Sequence, residues 1–466
     1  MIVVIEPDVL ERTLGTAMAG GAEFAEVFAE NRRSVSASLD DGRVEQVTSS
    51  RDRGAGIRVV AGETTGYAYT SDLSEKGLAE AARTAAAAAK GGGTGGQRVV
   101  SLESAYSRPA VIQRDPRDVS TQAKVALLLA ADEAARSAGS EIVQVSAGYG
   151  DSRRSVLVAN TEGVFATDEQ VRVLMRLSAV AAGDAGMQTG YQSMGHTRGW
   201  EVFDEMDVEQ FAREAARQAI TKLSARPAPS GTMPVVIQRG TGGVLFHEAC
   251  GHGLEADLIA KGASVYAGRV GELVASPLVT LVDNGQMPGE WGTLGIDDEG
   301  HPTQHNVLIK DGVLTDYMWD VLRARREGRP GSGNGRRQSY RHLPMVRMTN
   351  TYVLDGTEDP DDIIAATDHG VYVAHLGGGS VNTASGDFVF GMTEAYLIEG
   401  GRITEPLRDG NLIGNGPKVL ADIDMLGNDF AMGSPGTCGK DGQGVPVGDG
   451  QPTLRVAALT VGGTAA

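Results

Sequence analysis

His247, Glu248 and His252 carry the densest chemistry of the chain, in the run Phe246-His247-Glu248-Ala249-Cys250-Gly251-His252-Gly253-Leu254-Glu255. Neutral imidazole is a metal ligand and a neighbouring carboxylate can take a proton from water, so the trio points to metal-assisted hydrolysis. Its order matches the zinc motif H-E-x-x-H with one residue added. Histidines four apart lie about 40° apart around a helix axis, whereas five apart they diverge by roughly 140°. A shared metal therefore requires the helix to widen into a π-type turn or to bend between them. Gly251 lowers the steric barrier to that distortion. The alternative is a core helix whose imidazoles are satisfied by hydrogen bonds. With 8 histidines in the whole chain, two of them flanking a glutamate favour the metal.

A catalytic zinc takes three protein ligands and keeps one position open. Several residues compete for the third place. Cys250 lies between the histidines but on a helix projects away from at least one of them. Glu255, Asp257 and Glu272 are acidic and close by. Cys438 sits in the turn-rich loop Gly433-Ser434-Pro435-Gly436-Thr437-Cys438-Gly439-Lys440, as a metal thiolate or a plain free thiol. Residue type leaves that choice open. Tyr340 and His342, in a polar loop with several donors, are candidates to stabilise an oxyanion, with ordinary loop hydrogen bonding as the alternative. Gly377-Gly378-Gly379-Ser380 permits close backbone approach by an extended substrate, and equally a tight turn.

These groups sit in a chain of 466 residues, 41% hydrophobic and 22% charged, an ordinary globular composition long enough for two or three domains. High glycine (64 residues) with 5% aromatics suggests sheets with many tight turns rather than a helix bundle. A net charge of −18 disfavours direct nucleic-acid binding. The one basic cluster, Arg323-Ala324-Arg325-Arg326 followed by Arg336-Arg337, reads as a solvated helix end and a flexible loop. No run reaches the ~20 apolar residues of a membrane span, and the N-terminus lacks a basic region before its apolar residues. A cytoplasmic location without membrane attachment is expected. Two distant cysteines in that compartment are more apt as core residue or ligand than as a disulfide.

The pattern of elements predicts an α+β fold of mainly antiparallel sheets with flanking helices. Residues 1–96 read as a helix–meander–helix module. A helix over 9–18 is followed by strands at 23–30, 34–39, 44–49, 54–61 and 64–70, and a helix over 74–90 closes it. Asp40-Asp41-Gly42 is a hairpin turn and residues 91–96 a glycine linker. Residues 97–230 repeat that order, with helices over 120–138 and 208–223 around extended segments at 142–149, 155–160, 163–182 and 188–197. Residues 231–466 form a larger β-rich catalytic domain, with the histidines on a helix from 244 to about 258.

The chain resembles the TldD/PmbA metallopeptidase family essentially end to end. The matching stretches are Leu39-Asp40-Asp41-Gly42-Arg43-Val44-Glu45, Gly54-Ala55-Gly56-Ile57-Arg58-Val59, residues 247–257, Arg336-Arg337-Gln338-Ser339-Tyr340-Arg341-His342, Pro344-Met345-Val346-Arg347-Met348-Thr349-Asn350-Thr351 and Gly436-Thr437-Cys438-Gly439-Lys440-Asp441-Gly442-Gln443 with Pro446-Val447-Gly448. The C-terminal motifs are the specific ones. The resemblance implies Zn2+ bound by His247, His252 and Cys438 and the role of active subunit. It also implies a heterodimer with a TldE/PmbA-like partner subunit, a homodimer being the other arrangement, enclosing a chamber for unfolded or small peptides. On that reading Glu248 is general base towards a water that the zinc acidifies, and the activity is peptide-bond hydrolysis. The family also carries a description as a regulator of DNA gyrase and toxin–antitoxin components, so the rival expectation is a non-catalytic binding modulator with structural zinc.

Overall fold

Asp41 and Gly42 both adopt positive φ (49° and 74°), the backbone a two-residue hairpin needs. They join β1 (Phe24–Asp40) to β2 (Arg43–Ala61), and β3 (Thr64–Thr70) continues the meander. In the computed structural model, which describes residues 5–89, 101–102, 104–108, 110–184 and 186–463, these strands join β4 (Ser104–Arg108), β5 (Ile142–Asn160), β6 (Val164–Gly183) and β7 (Gly186–His196). Together they form one seven-stranded sheet in the order β3-β2-β1-β5-β6-β4, with β7 also on β6. The glycine linker expected at 91–96 lies outside the described residues.

The strands are longer than their hydrophobic pattern suggests. Interruptions expected at 31–33 and 50–53, and between the segments ending at 149 and beginning at 155, fall in register with one another. Arg32 pairs with Asp52 on one side and Arg154 on the other, and Arg33 with Arg51 and Arg153. They mark a polar midline across a continuous sheet. On one side of it α1 (Pro7–Ala17) and α2 (Glu75–Ala88) bury Leu10, Leu14, Leu78 and Ala82 against Val27, Ile57 and Val59. On the other, α3 (Thr121–Arg136) and α5 (Val208–Leu223), with the short α4 (Glu201–Glu205) between, bury Leu128, Ala131, Ala212 and Ala216 against Val145, Met175 and Leu177. Ser74 and Ser120 cap α2 and α3 by accepting from the amides of Gly77 and Ala123.

The remaining chain builds an eight-stranded sheet, whose centre includes residues Gly231–Ile237, Leu454–Gly462, His369–Val381 and Asp387–Glu399, and a second seven-stranded sheet. Residues 377–381 continue a strand of the former. The fold is α+β, mainly antiparallel. The sheet of β1–β7 docks on this part through Phe28, Val156 and Val158, which pack with Ile296 and Tyr340. The basic cluster divides in two. Arg325 and Arg326 are exposed and pair with Glu162 and Glu63. Arg336 and Arg337, expected in a flexible loop, are 2% and 1% exposed, because the loop is clamped between the two halves. Among the described residues no helix is long and apolar enough to cross a membrane.

Candidate metal centre

Glycines 240, 242 and 243 bring the chain from the strand Gly231–Ile237 into one α-helical turn, Gly243–Phe246. The helix then widens to π geometry over His247–Gly251 and tightens to a 3-10 turn at His252–Leu254. A further short α-helix, Ala256–Ala260, follows, so the regular helix expected over 244–258 is four short pieces, and the wide turn lies where the five-residue spacing requires it. Gly251 has ordinary helical torsions (φ −52°, ψ −53°). Its missing side chain has a different use: a Cβ there would lie 2.2 Å from Met348 Sδ. Leu245, Phe246, Cys250 and Leu254 anchor the turn in the core between the two sheets.

His247, His252 and Cys438 converge. Cys438 Sγ lies 3.2 Å from Nε2 of each histidine, and all three ligand atoms fall within 4.8 Å of one another. The rings stand nearly perpendicular, at 86°. Tetrahedral zinc with ordinary Zn–N and Zn–S bonds sets an N···S separation of about 3.5 Å, so the trio accepts such an ion after opening by a few tenths of an ångström. Burial pushes the Cys438 thiol up, but hydrogen bonds and charge from the two histidines outweigh it and hold the group at about 4. A thiolate at neutral pH is the form that ligates.

Two supports hold this trio. Glu255, fully buried, places Oε2 3.0 Å from His252 Nδ1 and 2.9 Å from Lys440 Nζ. Burial lowers the His252 pKa, but Glu255 and Cys438 together raise it well above the usual value. Cys438 itself lies on the hairpin Gly436–Lys440/Gln443–Gln451, whose backbone Arg347 grips by donating to the carbonyls of Gln443 (3.1 Å) and Cys438. Lys440, Arg347 and Asp449 were not singled out from sequence. Lys440 and Arg347 fall within motif stretches, and Asp449, whose carboxyl burial pushes up to about 7 near His247 and Glu248, carries no sequence signal.

Glu248 projects from the wide turn with its side chain 24% exposed and Oε2 4.0 Å from His252 Nε2. Val244 and Asp449, beside it, line a cavity of about 970 Å3 that runs to Trp291, His375, Leu376 and Gly378. Of the other acids, Asp257 bonds Lys440, and Glu272 is exposed and paired with Arg269. Cys250 donates to the Phe246 carbonyl and is pushed up to about 12 by burial, a core thiol.

Tyr340 and His342 are held by local partners. The Tyr340 hydroxyl donates to Asp52 (3.2 Å) and accepts from Arg341, and its ring lies against Gly54, where a Cβ would come within 2.3 Å of it. His342 Nδ1 shares a hydrogen bond with Ser339 Oγ at 2.9 Å. These contacts fasten the 336–342 loop to β2. Tyr340 thus lies at the seam between the halves, and His342 against Ser339 of its own loop.

Residues 25–89, 114–223 and 230–463 match, in turn, domain 1, the central domain and the C-terminal domain of the PmbA/TldA metallopeptidases. The chain is 41% identical over 450 residues to a metalloprotease TldD homolog of Haemophilus influenzae, covering 95% of this chain and 93% of that one. It is 36% identical over 443 residues to a metalloprotease of Methanothermobacter thermautotrophicus, covering 95% and 96%. Among solved structures it is similar to TldE of Thermococcus kodakarensis, with TM-score 0.77 and 20% identity over 97% of this chain and 99% of that one. A Thermotoga maritima protein described as a candidate modulator of a DNA gyrase superposes with TM-score 0.80 at 22% identity, over 98% and 99%; these two likenesses concern the fold.

Proposed function

The chain belongs to the PmbA/TldD metallopeptidase family, and on that premise we propose that it is a zinc peptidase in which His247, His252 and Cys438 hold the ion and Glu248 is the general base. One observation carries the reading: a buried nitrogen, nitrogen and thiolate set meets at one point, with a partly exposed carboxylate beside it. When bound, zinc would acidify a water and polarise the scissile carbonyl. Glu248 takes the proton of the attacking water and delivers it to the leaving amine nitrogen. Glu255 and Lys440 keep His252 facing the centre. Gly377 and Gly378, on the cavity wall at a bulge of their strand and past residues 371–373 where it pairs with Gly231–Ile237, allow an extended peptide to approach by its backbone. Such contact suits unfolded or small peptides with weak sequence preference.

A partner of the TldE/PmbA type is part of the same proposal, resting on family membership and on the fold shared with TldE. Against a purely structural zinc stands the ligand count: the cluster offers three ligands among the described residues, whereas structural sites are usually closed by four. The test is Glu248→Ala, purified with and without the partner and given an unstructured peptide. Full zinc content with cleavage reduced at least a hundredfold is expected. Unchanged cleavage removes Glu248 from the mechanism, and cleavage by neither wild-type preparation removes the peptidase reading.

A further inference from the structure

Five arginines, Arg32, Arg154, Arg172, Arg336 and Arg337, line one cavity of about 270 Å3 in a chain whose net charge is −18. Arg32, Arg154 and Arg172 come from β1, β5 and β6. Opposite them stand the buried 336–338 loop and the hairpin that carries Cys438. Thr437 lines this cavity, while its neighbour Cys438 turns to the histidines, because successive side chains on a strand point to opposite faces. None of His247, Glu248, His252 and Cys438 lines it, so the cavity is separate from the metal centre.

Its charges do not balance. Arg154 pairs with Glu30 (3.0 Å) and Asp298 (2.9 Å), Arg32 with Glu30, and Arg337 with Glu26. Among the described residues Arg172 and Arg336 have no carboxylate within ion-pair distance. Arg172 donates to the carbonyls of Trp291 and Thr293 and to the Gln170 side chain, and Arg336 to the carbonyls of Met348 and Pro446. Both are buried. These acceptors are neutral and supply no counter-charge, Arg336 Nε has no acceptor among the described residues, and a buried charge left uncompensated is costly. Burial, followed by repulsion from neighbouring arginines, pushes Arg172 down to about 9. Burial likewise brings Arg336 to about 10, partly offset by Asp298.

We infer that this cavity is a binding site for a small oxyanion, a carboxylate or a phosphate, that supplies the counter-charge Arg172 and Arg336 lack. Guanidinium groups present planar forks of donors that fit either anion. The anion joins β5 and β6 to the hairpin bearing Cys438, and so ties the first sheet to the metal-binding part.

Isothermal titration of the Glu248→Ala chain at constant ionic strength tests this without hydrolysis intervening, so its outcome does not depend on the peptidase assignment. The probes are inorganic phosphate and one short unstructured peptide with a free or an amidated C terminus. Saturable binding at least tenfold weaker in Arg172→Gln is expected. Arg32→Gln, on a half-buried residue, serves as well if Arg172→Gln does not fold. A free-acid peptide that outbinds its amide and competes with phosphate identifies a peptide's terminal carboxylate. Phosphate binding with the two peptides equal identifies a free anion. The site is refuted if none of the probes saturates, if a folded arginine variant binds like its parent, or if the exposed control Arg33→Gln weakens binding equally.

Discussion

Glu255 fixes the orientation of His252: its carboxylate oxygen lies 3.0 Å from Nδ1, and the same oxygen is held at 2.9 Å by Lys440. A carboxylate at Nδ1 makes that nitrogen the donor and leaves Nε2 free to face Cys438 and His247. Glu255→Gln keeps the shape and removes the charge. It is expected to weaken zinc binding by about 10- to 100-fold, measured by competition with a chromophoric chelator. Unchanged affinity would mean that packing alone orients the ring.

Cys438 and Cys250 are opposites in titration, held at about 4 and about 12. In chelator-treated protein at pH 7, thiolate absorbance near 240 nm should report one thiolate per chain, lost in Cys438→Ser and kept in Cys250→Ser. The folded Cys438 value lies below the ordinary thiol value of 9.0. Its contribution to stability is therefore complete above about 9 and is lost as pH falls towards about 4. Cys438→Ser should lack that part of the pH–stability slope, and its zinc content should fall sharply by metal analysis. Retention of full zinc would move the third ligand elsewhere.

Gly251 makes room for Met348, whose Sδ would lie 2.2 Å from an added Cβ. Gly251→Ala should cost about 1–3 kcal/mol through overpacking, read as a lower urea midpoint, with metal affinity falling alongside. A neutral result would show that Met348 swings aside freely.

Tyr340→Phe separates scaffold from catalysis. Its hydroxyl contacts Asp52 and Arg341, so the substitution should lower stability by about 0.5–1.5 kcal/mol, the net worth of a typical hydrogen bond, and leave kcat unchanged. Loss of an oxyanion donor would instead lower kcat by about 10²–10³, and a fall of that size would return Tyr340 to the catalytic machinery.

Much of the fold was legible from local pattern: the hairpin at Asp41-Gly42, the helices over 74–90 and 120–138, and the strand at 34–39. The long strands were not. Their polar centres, such as Asn31-Arg32-Arg33, read as breaks when each is taken alone. They become strand only when Arg154 finds Glu30 on the neighbouring strand and Asp298 in the half docked against the sheet. Polar residues are extended here because their partners are distant in sequence, which periodicity does not register.

The metal centre divides in the same way. By itself the sequence determined the spacing of His247 and His252, and with it the need for a wide helical turn, since helix pitch depends on neighbouring residues alone. It also placed Glu248 next to the first histidine. Only the tertiary structure decided the third member. Cys438 is 186 residues from His252, and it arrives because the 436–451 hairpin packs against the turn with Arg347 on its carbonyl. The reason is physical: a local helix can aim two imidazoles, but the depressed thiol and the aligned His252 arise from burial and from charges brought together by the fold.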